Sequence, residues 1–195
     1  MAWPDEQYTG RDYQLDFFGK KIHWPSIMKE KGLDRDQYLP YKKAMHFVRE
    51  NYPIKPYPQT KMTQDIYDQV AEELGFEPDP AEEAELQELK SRLKFYDALD
   101  TPFDTFHGVD GFFVYTDDQG REQICTFDVT QNPEKGAEDV KADVWVGAAP
   151  DHKVDKVGYE KWYTQSAKDI AENLAGSGVP SIQKRPEAED RPLNA

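Results

Sequence analysis

Two stretches decide the fold. The first is His107-Gly108-Val109-Asp110-Gly111, running on into Phe112-Phe113-Val114-Tyr115. The second starts at Glu122 and passes through Phe127-Asp128-Val129-Thr130-Gln131-Asn132-Pro133. Val109 to Tyr115 is short and apolar. Glu122 to Thr130 carries Ile124, Thr126, Phe127 and Val129, residue types that suit a pleated, half-buried surface. Asp117-Asp118-Gln119-Gly120 between them has turn chemistry, so the two runs are predicted to form a hairpin. Ala142 to Gly147 is a further buried-type strand. The connection of about a dozen residues from Asn132-Pro133 to Lys141 is long enough for a parallel crossover.

Helical periods flank this strand region. Asp34 to Asn51 places Tyr38, Tyr41, Met45 and Val48 roughly on one side, with Pro40 near the first turn. Tyr52-Pro53-Ile54-Lys55-Pro56-Tyr57-Pro58 then stops any helix and favours an extended connector. Thr63 is predicted to cap a helix running to about Leu74 and ended by Gly75. Asp79 as N-cap, Pro80 as first helical residue and Glu82 three positions after the cap predict a third helix, reaching about Leu99 and burying Leu86, Leu89, Leu93 and Tyr96. Tyr159 to Leu174 is a last helix with Trp162, Tyr163, Ala167, Ile170 and Leu174 inward. The expected class is α/β, a small mixed sheet with flanking helices. The expected division is an aromatic arm and helical extension over residues 1–78, an α/β core over 79–175 and a flexible tail over 176–195.

Composition narrows the function. The chain has 195 residues with a net charge of −14, from 38 acids against 24 bases. Such a surface repels nucleic-acid phosphates unless cations are concentrated locally. Aromatic residues make up 13%, too many for a disordered chain. No apolar run approaches the roughly 20 residues that span a bilayer, so no membrane partner is expected. The first residues lack a signal-peptide core, and the single cysteine, Cys125, excludes an internal disulfide framework and a cysteine-based zinc site. A cytoplasmic or intravirion setting, not a secreted one, is the expectation. Trp3, Tyr8, Tyr13, Phe17, Phe18 and Trp24 stud the first 35 or so residues, an arm that packs either on its own core or on a protein partner.

The chemistry-bearing pair is Asp110 and Asp128, eighteen residues apart. An antiparallel hairpin brings the start of one strand beside the end of the other, so both carboxylates reach one end of the sheet. By parity Asp128 shares its side with Ile124 and Thr126, while Phe127, Val129 and Cys125 face the other way. Two converging carboxylates can hold Mg2+ or Mn2+, hard cations that take oxygen ligands and keep sites open for water and phosphate. The competing reading makes Asp110 a turn acid before Gly111 and Asp128 a paired core acid.

This order of elements resembles the PD-(D/E)XK nuclease superfamily, the restriction-endonuclease-like fold, over about residues 79–174. That core is a helix, a three-stranded hairpin sheet, a helix and a further strand. The resemblance implies that Asp110 is the first motif acid and Asp128 the second, both binding Mg2+ or Mn2+, with the Val129 carbonyl as a third ligand. A glutamate of the preceding helix, Glu85 or Glu88, would complete the metal site. The implied activity is hydrolysis of phosphodiester bonds in DNA. The sequence departs from the motif at Thr130, which stands where the family has its lysine and supplies no cation. Lys135 and Lys141, on the crossover, are the substitutes, and Gln131 would orient water or contact phosphate.

Two other classes fit the charge: a non-catalytic assembly protein on a degenerate nuclease-like fold, and an acidic mimic of DNA. His107 could add a base or ligand beside Asp110 or be structural. The acids from Glu77 to Glu88 make either a solvated helix face or a phosphate-like surface. Lys20, Lys21, Lys42 and Lys43 give two small basic pairs, too few for a groove. No glycine-rich phosphate loop and no serine–histidine arrangement is present.

Overall fold

In a computed structural model of the chain, residues 9–19, 22–77, 83–132 and 141–176 are described. The described residues form, in order, α1 (Gly10–Phe18), α2 (Trp24–Glu30), α3 (Tyr41–Glu50), α4 (Lys61–Glu73), α5 (Glu83–Arg92), β1 (Leu93–Asp97), α6 (Pro102–His107), β2 (Gly111–Thr116), β3 (Glu122–Val129), β4 (Val144–Val146) and α7 (Lys156–Leu174). The strands form one mixed sheet in the order β1-β2-β3-β4. β1 with β2 and β2 with β3 are antiparallel; β3 with β4 is parallel, as the long connection allows.

The alternation along β3 sorts the sheet into two faces. Cys125, Phe127 and Val129 join Phe95, Phe113, Val144 and Val146 in a core covered by α1, α4 and α7. Tyr96, Phe112 and Val114 lie in a second core with Trp24 and Met28 of α2, Phe47 and Val48 of α3, and Phe103 of α6. The result is a three-layer α/β structure with helices on both faces. No helix among the described residues is long and apolar enough to cross a membrane.

Several expected boundaries move, each for a local reason. Within the arm, Thr9 and Asp12 form a capping box that starts α1, while Trp3 and Tyr8 lie outside the described residues. Tyr13, Phe17, Phe18 and Trp24 are buried within the chain's own cores, so these aromatics are not free for a protein partner. The helix expected from Asp34 begins only at Tyr41, with Pro40 at its N-cap. The cap of α4 is Thr60, and Thr63 is its reciprocal partner three residues on.

The largest correction concerns the helix expected to reach Leu99. It stops at Arg92, and Leu93 to Asp97 become β1. Leu86, Leu89, Leu93 and Tyr96 fit a helical spacing, but neighbouring aromatics reward an extended backbone more. Phe95 packs on Phe113 at 5.2 Å on one face, while Tyr96 stacks on Phe112 at 4.8 Å on the other. The proline-rich connector lies along the outer edge of β1, where the Pro56 carbonyl accepts the Phe95 N–H at 3.0 Å. Asp79, Pro80 and Glu82, the expected start of that helix, lie outside the described residues, as do most of the crossover and the tail.

Candidate functional site

The ends of β1, β3 and β4 and the start of β2 lie at one end of the sheet, outside the carboxyl ends of three strands, where α/β folds commonly place ligands. Asp110 immediately precedes β2, and Asp128 is the next-to-last residue of β3. Gly111 pairs with Phe127, and one further step in that register sets Asp110 opposite Asp128. Both are buried, at 2% and 5% exposure. The two predicted acids are therefore neighbours on one side of one sheet end. Trp145 of β4 pairs with Asp128 in the parallel register and extends the row across the sheet.

Asp110 is held from two directions. Its Oδ2 accepts the Val129 N–H at 2.8 Å and the Gln14 Nε2–H of α1 at 2.8 Å. The same Gln14 nitrogen lies 3.3 Å from the Val129 carbonyl oxygen, the expected third ligand. Two oxygens assigned to a cation thus converge on one amide nitrogen.

Further acids crowd this end. Asp97 closes β1, and its Oδ1 accepts the Leu99 N–H at 2.8 Å. Asp104, in the first turn of α6, accepts the Asp100 N–H at 2.8 Å, and its charge bears on Asp110. Asp100 sits in the left-handed region, at φ 63°, and faces Arg11 and Arg35. Burial, then the charge of Asp104, pushes Asp110 well above the ordinary carboxylate range; the Val129 N–H opposes this and the charge of Asp128 adds to it. Burial likewise raises Asp97 to about 7.

Helix α1 lies over this end as a strap. Arg11 pairs with Asp100, and Gln14 bridges Asp110 and Val129. The Tyr13 hydroxyl donates to the Gly147 carbonyl at 3.3 Å and accepts the Ala149 N–H at 2.7 Å. One side chain each therefore reaches the loops or residues ending β1, β3 and β4. Sequence reading missed this helix. The signal that could have found it is Thr9-x-x-Asp12 ahead of Tyr13 and Phe17.

The other predicted residues divide. Glu85 and Glu88 are not at this site. They line a pocket with Phe76, Arg92, Tyr115 and Asp118, at the hairpin-turn end. Glu88 pairs there with Arg92, whose other end holds the Thr116 carbonyl. At about 3.3 Å per residue, six residues of β2 put that end about 20 Å from Asp110. Thr130 makes a turn: its hydroxyl accepts the Asn132 N–H at 3.1 Å. Gln131 follows it, half-buried. Lys141 is exposed, and its side chain lies over Gly108, the left-handed cap of α6 two residues before Asp110. Lys135 lies outside the described residues. His107 is structural: its Nε2 is 2.8 Å from the Leu39 carbonyl, and its ring packs on Tyr38, Tyr41 and Phe103.

Among the described residues, no group of three or more His, Cys, Asp or Glu is arranged to hold a metal ion. The oxygens at this end, two carboxylates and a backbone carbonyl, are of the hard type that Mg2+ and Mn2+ take. No protein-family model, no curated protein and no solved structure matches this chain.

Proposed function

We propose that this chain is a restriction-endonuclease-like domain that hydrolyses phosphodiester bonds in DNA with Mg2+ or Mn2+. The observation that carries this reading is the row of Asp110 and Asp128, buried and opposed in register at the end of a sheet whose strands run antiparallel, antiparallel, parallel. β1 supplies a third strand to the hairpin, and a helix precedes it, which is the order the family resemblance implies. Burial of both acids at one end of the sheet also favours this reading over a DNA mimic, which needs carboxylates spread over a surface.

In this reading Asp110, Asp128 and the Val129 carbonyl hold the ion. When bound, the ion would activate water and offset charge on the phosphate. The rest falls to the chain's own groups. Burial and the charge of Asp104 favour the neutral form of Asp110, so it would have to ionise before both its oxygens could serve as anionic donors. Lys141, whose stem lies over Gly108, would supply the ammonium that Thr130 lacks. Gln131, one residue past Thr130, is placed to contact phosphate.

The test is incubation with plasmid in Mg2+ and in Mn2+, beside Asp128→Ala. Cutting by the wild type and at least about a hundredfold less by the variant is expected. No cutting with either ion would sink the proposal and favour the assembly-protein reading, to which Thr130 at the lysine position already lends weight.

A further inference from the structure

Three aromatic side chains are exposed among the described residues: Tyr38 at 56%, Tyr41 at 40% and Trp145 at 41%. All three lie at the end of the sheet that holds Asp110 and Asp128. Trp145 pairs with Asp128 in the parallel register, while its neighbours Val144 and Val146 point into the core under α1, α4 and α7. By alternation the indole is on the opposite face, that of α2, α3 and α6. It lies along the backbone toward Gly147, where a Cβ would stand 3.6 Å from the ring. Asp143, two residues before Trp145, accepts the Thr126 N–H and hydroxyl at 2.9 and 2.8 Å. Burial above all, and with it the charge of Asp143, raises the Tyr41 hydroxyl, so the inner end of that side chain lies near Asp143. From there to Trp145 is two residues of strand, about 7 Å. The Tyr41 and Tyr38 rings both pack on His107, at 5.4 and 5.7 Å, and continue the row.

Rings of this size gathered on one surface mark a place where something binds. Cations stand at the margin of the row. Lys43 is exposed in the first turn of α3, and Lys141 is exposed with its stem over Gly108. Arg35, three residues before Tyr38, is exposed and reaches Asp100. Lysine is depleted at the core of protein interfaces, so rings edged by lysines fit a nucleic acid better than a protein. The net charge of −14 then decides which nucleic acid. Duplex binding draws on neutralised phosphates, and this surface has few cations to neutralise them. A single strand offers unpaired bases, whose stacking on aromatic rings needs no net positive charge. With its bases turned to the rings, its phosphates lie outward beside the lysines, away from buried Asp110 and Asp128.

We infer that Trp145, Tyr41 and Tyr38 form a stacking platform for single-stranded DNA, on which Trp145 seats the base next to Asp128. The inference takes DNA from the reading above, rests on it for that choice, and adds the strandedness and the surface that selects it.

The probe is a short fluorescein-labelled oligothymidylate, its binding followed by anisotropy in EDTA so that no metal ion takes part. The wild type is expected to bind it at least about tenfold more tightly than a duplex of the same length, with a shallow dependence on salt. Trp145→Ala should weaken single-strand binding about tenfold, the usual worth of one stacked base, and Trp145→Phe should restore most of it. Tyr38→Ala, at the most exposed ring, should also weaken binding, and it carries the test if thermal unfolding shows that Trp145→Ala does not fold. No binding of the single strand, equal binding of the duplex, or alanine variants that bind as the wild type does would overturn the inference. So would self-association in sedimentation that Trp145→Ala abolishes, because a second copy would then occupy the rings. The absence of metal keeps the two readings apart. Single-strand binding through Trp145 with no plasmid cutting in Mg2+ or Mn2+ ends the nuclease reading and leaves this one. Cutting, with single-strand binding indifferent to Trp145 and Tyr38, ends this one alone.

Discussion

The two ends of the sheet hold acids in opposite ways. At the hairpin end, Asp117 accepts the N–H groups of Gln119 and Arg121 and the Arg121 guanidinium, and Glu122 pairs with Arg49. Both carboxyls are pulled below their ordinary values, Asp117 by the backbone bond from Arg121 above all and Glu122 by its bond from Arg49. At the other end, Asp97, Asp104 and Asp110 are all raised, each chiefly by burial. One end neutralises exposed acids with local cations and turn N–H groups. The other buries acids near one another, and burial favours their neutral forms. A stable fold gains from the first arrangement and is strained by the second, and strain of that kind marks sites kept for chemistry.

The end with buried acids must be supported by packing, and the largest effect is expected there. Phe127 is 1% exposed, pairs with Gly111 at the start of β2, and packs on the rings of Phe17, Phe18, Phe95 and Phe113. Phe127→Ala should cost about 3–5 kcal/mol, the usual range for a buried aromatic, seen as a lower urea midpoint. Phe127 lies next to Asp128 and underlies α1, so Mn2+ binding should weaken with it. A loss below about 1 kcal/mol would mean that the strap and the site do not depend on this core.

The second test uses protons. Asp97 rises from 3.8 to about 7 in the folded chain, so the native state holds a proton that the unfolded state has already released between those values. Stability from this group is present at pH 4 and is lost as pH rises toward and past 7. At about 1.4 kcal/mol per unit, the loss is on the order of a few kcal/mol. Asp104 and Asp110 shift in the same direction and add to the fall. Urea unfolding from pH 5 to 8 should show declining stability, and Asp97→Asn should flatten the curve. Asn keeps an oxygen for the Leu99 N–H, so the variant isolates the charge. A stability that rises with pH over this window would break the contrast between the two ends.

The parts that were legible in sequence are those whose signals are local. The β2–β3 hairpin showed through its apolar runs and the Asp117–Gly120 turn, and the opposition of Asp110 and Asp128 followed from that hairpin alone. β1 was hidden because Leu89, Leu93 and Tyr96 fit a helix as well as a strand. Only contacts with Phe112 and Phe113, some twenty residues on, decide between them. α6 is short, and its start at Thr101-Pro102, where the threonine hydroxyl caps Phe103 and Asp104, carried a signal that larger neighbouring patterns obscured. The site was half legible for the same reason. Asp110, Asp128 and Val129 come from one hairpin, whereas Gln14 and Arg11 arrive from a helix nearly a hundred residues earlier. No spacing rule links residues so far apart; the packing of Phe17 and Phe18 on Phe127, with the Tyr13 and Arg11 contacts, brings them together.

The smallest effect is expected at the hairpin end. Arg49 Nη2 sits 2.8 and 2.9 Å from the two oxygens of Glu122, tying α3 to the start of β3. Glu122 is exposed, so water and salt screen the pair, and fixing two long side chains costs entropy. A double-mutant cycle with Arg49→Gln and Glu122→Gln should give a coupling of about 0.2–1 kcal/mol that shrinks in high salt. The buried acids should respond differently: the pH dependence assigned to Asp97 should persist at the same salt concentration, because interactions away from solvent are screened much less. A coupling at Arg49–Glu122 that matched the Asp97 effect and resisted salt would show that both ends of the sheet store charge in the same way, and the case for chemistry at only one of them would lose its physical basis.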